Sequence, residues 1–327
     1  MPGLVPGIHV FITVQDYKTW MAGTSPAMTD KARARPNEGD MTEKTPLRIA
    51  IGDYPHTLPL KRGEIVSPSL KLEFVEVKPM HTALKPMVRE HAYDASEMAL
   101  VTYLQAKEHK KGLTLLPAAM LARFQHGTVL YNSARGTLTP KDLRGKRIGV
   151  RSYSQTTAAW IRGIIENDYG VDLSRVQWVT FEDGHVAEAK DPTSVIRAGQ
   201  GKDITNMLLD GELDAAIYGA AMPDDPRLKS VIPDPDEAAR AWFAKHRLVP
   251  VNHMVVVTDE FARADPVAVA ELYRMLEAGR AAAGAPKGGI DTAPFGKEAN
   301  RPCLELLISY AVQQGLIARR LDVDELW

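Results

Sequence analysis

Residues 143 to 163, LRGKRIGVRSYSQTTAAWIRG, read as a short strand that passes through a run of hydroxyls into a helix. Ser152, Ser154, Thr156 and Thr157 precede or open that helix, whose free backbone N–H groups suit an anion such as a carboxylate. Arg151 adds a guanidinium, which grips carboxylates in a planar fork. The plainer alternative is that these hydroxyls only cap the helix.

Nine histidines are present, and three stand where predicted strands end, the usual place for ligand groups in α/β proteins. His56 follows LRIAIGDY, His126 lies in ARFQHG, and His253 lies in PVNHMVV. Any one alone is more often structural than catalytic. His81, His91 and His109 sit among Lys, Arg and Glu in or beside predicted helices and read as solvated, as does His246. His185 falls in the polar loop EDGHVAEAK, the position of a lid residue. Tyr103, Phe124, Tyr153 and Trp160 could sandwich a planar ring, although such residues commonly fill a core.

Several chemistries lack their signatures. Neither HxH nor HExxH occurs, so no residue is assigned to a metal; dispersed ligands leave a divalent ion open, and no cofactor is expected. GxGxxG, GxxxxGK[ST] and GxSxG are also missing, which argues against nucleotide and serine hydrolase chemistry.

The elements that must position these residues follow an α/β pattern. With 327 residues and 45% hydrophobic composition, the chain can bury the cores of two lobes. Forty basic residues balance forty-one acidic ones, so no net field attracts nucleic acid or a membrane surface, and a small molecule is the expected partner. One cysteine excludes an internal disulfide, and no apolar run is long enough for a spanning helix. Residues 1–45 read as a disordered or non-native leader, with Met41 as an alternative start. Neither start offers a signal peptide, so a cytoplasmic location is expected. The oligomeric state stays open, a homo-oligomer included.

From Leu47, LRIAIGDY and LKLEFVEVKP read as strands, HTALKPMVREHAY as a helix, and SEMALVTYLQAKEHKK as a second helix with Ser96 as its N-cap. LTLLPAAML, FQHGTVLYN, RIGVR, VQWVTF, DAAIYG and the RLVPVNHMVVVT stretch read as strands. DITNMLLDG, DPVAVAELYRMLEAGRAAAG and CLELLISYAVQQG read as helices. The economical arrangement crosses to a second lobe near Gly145 and returns near Pro250. It assigns 46–144 and 252–327 to lobe 1 and 145–251 to lobe 2, with a cleft and a two-crossing hinge between them.

The order DASEMALVTYL, ARFQHG, DLRGKRIGVRSYSQTTAAWIRGIIENDYGV, LLDGELDAAIYG and HRLVPVNHMVVV resembles the 4,5-dihydroxyphthalate decarboxylase family, over roughly residues 46–327. The resemblance implies a type II periplasmic-binding-protein-like fold used as an enzyme. Its reaction would be non-oxidative decarboxylation of a dihydroxyphthalate-like dicarboxylate to a protocatechuate-like product and carbon dioxide. On that reading His126 and His253 lead as general acids, with His56 third. Arg123 and Arg151 would hold the carboxylate that remains, while Ser96, Ser152, Tyr153, Ser154, Thr156 and the helix N-terminus orient the ring. Glu97 would accept a phenolic proton or orient a histidine, its plainer role being that of a first-turn acid. This chain departs from the family at Arg151-Ser152, where Pro-Glu is common, and at Gln125, where a basic residue is common. The rival reading is a solute-binding protein of the same fold that retains an anion without chemistry.

Overall fold

The expected alternation of strand and helix is present, sorted into two sheets. The computed structural model describes residues 46–284 and 289–327, so the expectations for the leader lie outside the described residues. In chain order the strands are β1 (Leu47–Ala50), β2 (Leu72–Phe74), β3 (Ala95–Ala99), β4 (Leu113–Ala122), β5 (Val129–Asn132), β6 (Arg147–Val150), β7 (Gln177–Thr180), β8 (Ile196–Arg197), β9 (Ala215–Ile217), β10 (Leu228–Ser230) and β11 (Val251–Thr258). The α-helices are α1 (Leu58–Lys61), α2 (Leu84–Glu90), α3 (Leu100–Glu108), α4 (Thr156–Asp168), α5 (Ile204–Asp210), α6 (Pro235–His246), α7 (Asp259–Ala264), α8 (Pro266–Ala282) and α9 (Lys297–Gln313).

The first sheet has the order β2-β1-β3-β11-β4 and the second β10-β5-β9-β6-β7-β8. In the first, β1 runs parallel to β2 and β3, and β11 runs antiparallel to β3 and β4. The apolar runs of β4 and β11 suit strands buried on both faces. In the second, β6 runs parallel to both β7 and β9, while β5 runs antiparallel to β9 and β10.

Two sequence expectations need correction. The first crossing lies at residues 123–128 and not near Gly145, because β5 pairs Val129 with Ile217 and so belongs to the second sheet. The polar TLTPKDLRGK is a loop inside lobe 2, which the chain leaves again just before β11. Second, Ser96 caps no helix. It lies inside β3, opposite Ala50 of β1 and Val256 of β11, and α3 begins only at Leu100. A strand flanked on both sides overrides the local preference of Ser for a cap.

Helix boundaries follow capping chemistry. The Asp203 carboxylate accepts from the N–H groups of Thr205 and Asn206 at the start of α5, and Gly211 ends that helix at φ 78°. Asp265 accepts from the Ala268 N–H above Pro266 at the start of α8. Helix α6 is an addition to the expected elements: Pro235 opens it, Asp236 and Glu237 occupy its first turn, and Lys245 and His246 its last.

Helix α9 ties the C-terminal segment to lobe 2. Tyr310 of α9 meets Trp160 of α4 edge-on at 5.8 Å, and Gly163 of α4 leaves the space that the Tyr310 ring fills. Trp160 also donates to the Val251 carbonyl at 2.9 Å, which fixes α4 against the start of the returning strand. Trp160 and Tyr103 are therefore core residues.

Candidate active site

Strand register assembles the first half of the site. Antiparallel pairing sets Val255 opposite Glu97 and His253 opposite Ala99. Side chains alternate along a strand, so Glu97 and His253 are diagonal neighbours on one face. The pairing of β11 with β4 shifts on either side of His253, an irregularity of the kind that re-aims a side chain beside a site.

His253 Nδ1 lies 2.5 Å from Glu97 Oε1, the Tyr54 hydroxyl donates to the same oxygen at 2.7 Å, and the Gly52 N–H donates to Oε2 at 2.9 Å. Glu97 is fully buried. Burial pushes its carboxyl up, but the hydrogen bond and charge of His253, with the donors Tyr54 and Gly52, outweigh it and hold Glu97 below the usual carboxylate range. An ionised carboxylate only accepts, so Nδ1 of His253 carries the shared proton and Nε2 is left for chemistry. The same carboxylate, after burial, drives the Tyr54 hydroxyl above its ordinary range, so Tyr54 stays protonated.

Between the sheets lies a cleft of about 600 Å³ that Tyr54 and His253 line from lobe 1 and Arg151, Ser152, Ser154 and Thr156 from lobe 2. Arg123, on the crossing segment, also lines it. The Arg123 side chain donates to Thr157 Oγ1 at 3.3 Å, and its buried Nε has no partner among the described residues. Burial lowers its pKa, and no carboxylate among the described residues forms an ion pair with it. Arg151 is engaged already, with Nη1 3.0 Å from Glu182 Oε2.

The hydroxyls at the start of α4 divide by role. Thr156 Oγ1 accepts from the Val101 N–H at 3.0 Å and so links the lobes, while Thr157 Oγ1 accepts from Asn252 Nδ2 at 3.1 Å. The hydroxyls of Ser152 and Ser154 lie 3.2 Å apart, without another side-chain partner among the described residues, and face the cleft beside the helix N-terminus. That pair remains available to an anion.

Four predicted site residues lie elsewhere. His126 is buried against Trp242, with ring centroids 6.0 Å apart, on a wall that does not reach the cleft. His56 stacks on the far side of Tyr54 at 5.3 Å, its carbonyl against Gly279 of α8. Ser96 spends its hydroxyl on the carbonyls of Ala50 and Glu97. Tyr153 turns into lobe 2, where its hydroxyl donates to the Gln314 carbonyl and its ring lies 4.0 Å from the Arg162 guanidinium. Glu97 is not a helix acid and does not line the cleft; it supports His253 from behind. Gln125 likewise sits in the crossing segment, donating to Asn252 Oδ1 at 2.7 Å.

The structure also adds residues. His81 and His185 both line the cleft, against the solvated reading of the first. His185 Nδ1 lies 2.8 Å from Thr102 Oγ1 of α3, while Arg89 of α2 donates to the carbonyls of His185 and Gly184. Lys111 meets Glu188 at 2.5 Å, so the lobe 2 loop 181–191 is fastened to lobe 1. A polar loop carries no periodicity that could have revealed this. His246 is not free surface either, since it bonds Asp168 at 3.0 Å and stacks on Trp242. No group of three His, Cys, Asp or Glu side chains among the described residues is arranged to hold a metal ion.

The family model NMT1/THI5 like matches residues 70–286. Over 253 residues the chain is 30% identical to 4,5-dihydroxyphthalate decarboxylase of Comamonas testosteroni, covering 73% of this chain and 76% of that one. The chain belongs to the NMT1/THI5-like family, beside the 4,5-dihydroxyphthalate decarboxylases. A second decarboxylase of that name, from Pseudomonas putida, is 30% identical to this NMT1/THI5-like chain over 213 residues, 61% of this chain and 82% of the other. The alkanesulfonate-binding protein SsuA of Xanthomonas axonopodis pv. citri, bound to MOPS, shares the fold with a TM-score of 0.52 and 16% identity, covering 88% of this chain and 99% of that one. The NMT1/THI5-like fold here is thus the expected two-lobed, type II periplasmic-binding-protein-like architecture. No helix among the described residues is long and apolar enough to cross a membrane.

Proposed function

We propose that this protein removes one carboxylate, without oxidation, from an aromatic dicarboxylate bearing a hydroxyl para to the leaving group, as in 4,5-dihydroxyphthalate. The products are carbon dioxide and a protocatechuate-like acid. The observation that carries the reading is the buried Glu97 carboxylate on His253 Nδ1, behind an imidazole that lines a cleft with the carboxylate-free Arg123. A receptor that only retains an anion has no need of a buried carboxylate behind a cleft histidine. Names of relatives support the same reaction class.

Decarboxylation at an aromatic carbon needs a proton at that carbon and a resting place for ring electrons. Nε2 of the His253 imidazolium delivers the proton to the ring carbon. The bond from that carbon to the carboxylate then breaks, its electron pair restores the aromatic ring, and carbon dioxide leaves. His253 is left neutral and regains a proton from solvent. Such general acid catalysis contributes about 10² to 10⁴ in rate. Glu97 is a positioning residue that fixes the tautomer and stabilises the imidazolium. Arg123 holds the retained carboxylate, and Ser152, Ser154 and the α4 N-terminus complete the anion site. The chemistry fits a cytoplasmic catabolic enzyme acting on a small aromatic acid.

The test is to incubate purified protein with 4,5-dihydroxyphthalate, with and without chelator, and follow protocatechuate and carbon dioxide. Product that disappears in His253→Ala supports the reading. Binding with no product would instead assign a solute-binding role, and product lost only with chelator would bring in a divalent metal.

A further inference from the structure

The decarboxylase reading leaves one proton unassigned. A para hydroxyl pushes electrons toward the protonated carbon best when it gives up its proton, and Glu97 is not reached from the cleft. We propose, resting on that reading, that His185 is the catalytic base for the substrate's phenolic proton, working opposite His253 across the closed cleft.

The two imidazoles come from opposite lobes and are held in matching ways by lobe 1 side chains. His253 is tethered at Nδ1 by Glu97, and His185 at Nδ1 by Thr102, 2.5 and 2.8 Å respectively. Each has Nε2 without a hydrogen bond among the described residues, and each lines the cleft. A planar ring between them meets one histidine at the carbon that takes a proton and the other at the oxygen that loses one. Because His185 belongs to lobe 2 and Thr102 to lobe 1, the base is positioned only while the loop 181–191 is fastened across the cleft.

Surroundings differentiate the pair. His253 faces an anion. His185 faces His81, Lys85, Arg89 and Arg151, with His253 beyond and Glu182 drawn to Arg151. Burial first, then the charges of Arg151, His81, His253 and Lys85, push His185 down to about 4, so the ring waits neutral and able to accept. A bound dicarboxylate sets negative charge among these cations and restores the basicity of the ring in the complex. Position assigns the roles: a carboxylate holds Nδ1 of His253, whereas His185 sits among cationic side chains. In the cycle, the phenolic proton passes to Nε2 of His185, His253 protonates the ring carbon, carbon dioxide departs, and His185 returns its proton to the phenolate oxygen. The net change is one proton consumed, through His253, for each carboxylate lost.

The experiment compares wild type, His185→Gln and His185→Ala on 4,5-dihydroxyphthalate across pH, with and without added imidazole. Glutamine keeps a polar partner for Thr102 but takes no proton. The expected result is a fall in kcat of about 100-fold or more in His185→Gln, with KM within about threefold. The acidic limb of the pH profile should disappear in that variant. Imidazole should restore turnover to His185→Ala in proportion to its free-base form. Unchanged kcat in His185→Gln overturns the assignment, as does a loss that keeps the acidic limb and resists imidazole, since that is the behaviour of a mere latch. Wild type without turnover overturns the decarboxylase reading itself, and this assignment with it.

Discussion

Replacing Glu97 by glutamine isolates what the buried carboxylate contributes. Its two oxygens accept from three donors: Gly52 N–H on one, Tyr54 hydroxyl and His253 Nδ1–H on the other. Glutamine keeps the shape but turns one oxygen into an NH₂ donor, so at least one of these donors loses its acceptor. A buried donor left unsatisfied costs about 1–3 kcal/mol. If the amide turns its NH₂ to Gly52, His253 keeps an acceptor that is neutral instead of charged. Hydrogen bonds to charged groups are worth about 1.5–3 kcal/mol and neutral ones about 0.5–1.5, so the imidazolium loses about 1–2 kcal/mol of support. At about 1.4 kcal/mol per tenfold, kcat should fall by about 5- to 30-fold. The opposite orientation sets NH₂ against His253 and Tyr54 and lowers kcat further. KM should stay within about threefold, because Glu97 does not line the cleft. Thermal unfolding by circular dichroism establishes that Glu97→Gln folds, and steady-state kinetics on 4,5-dihydroxyphthalate give the split. Wild-type kcat in the folded variant, or a raised KM with kcat unchanged, would refute the support argument.

Three other outcomes follow from the same structure. Arg123→Gln should raise KM by about 10- to 100-fold, the worth of one hydrogen bond to a charged group, with a smaller change in kcat; calorimetric titration with phthalate should show the same loss of affinity. His126 has its pKa lowered from 6.5 to about 4, by burial against a smaller opposing pull from Asp168. The unfolded chain therefore takes up the proton first, so stability is full above about pH 6.5 and drains as pH falls toward 4, by about 3 kcal/mol at most. Urea midpoints measured from pH 7.5 to 4.5 should fall less steeply in His126→Phe, and an unchanged slope would count against a neutral, buried His126. Gly163→Ala would drive a Cβ into the Tyr310 ring and should cost about 1–3 kcal/mol of overpacking, read as a lowered melting temperature.

Local chemistry made a good part of this protein legible in its sequence. The apolar runs VNHMVVVT and LTLLPAAML announced buried strands, because only a central strand hides both faces. The hydroxyl run ahead of TTAAWIRG announced a helix start facing a cleft, because free N–H groups need acceptors. Arg123, Arg151, Ser152, Ser154 and His253 were all found by type and position, and all five line the cleft. What distance along the chain conceals was decided by tertiary structure. Glu97 is a support for His253 and not a helix acid because β11 lies antiparallel on β3 and sets the two side chains diagonally on one face. His126 left the site, and the crossing moved to residues 123–128, because β5 found its partners in the second sheet. His185 entered the cleft through a loop whose fastening to Thr102 and Arg89 depends on residues more than eighty positions away. Residue type and spacing determine which groups can do chemistry and which segments must be buried; strand register and loop closure decide which of those groups meet, because both are settled by long-range pairing that no local pattern encodes.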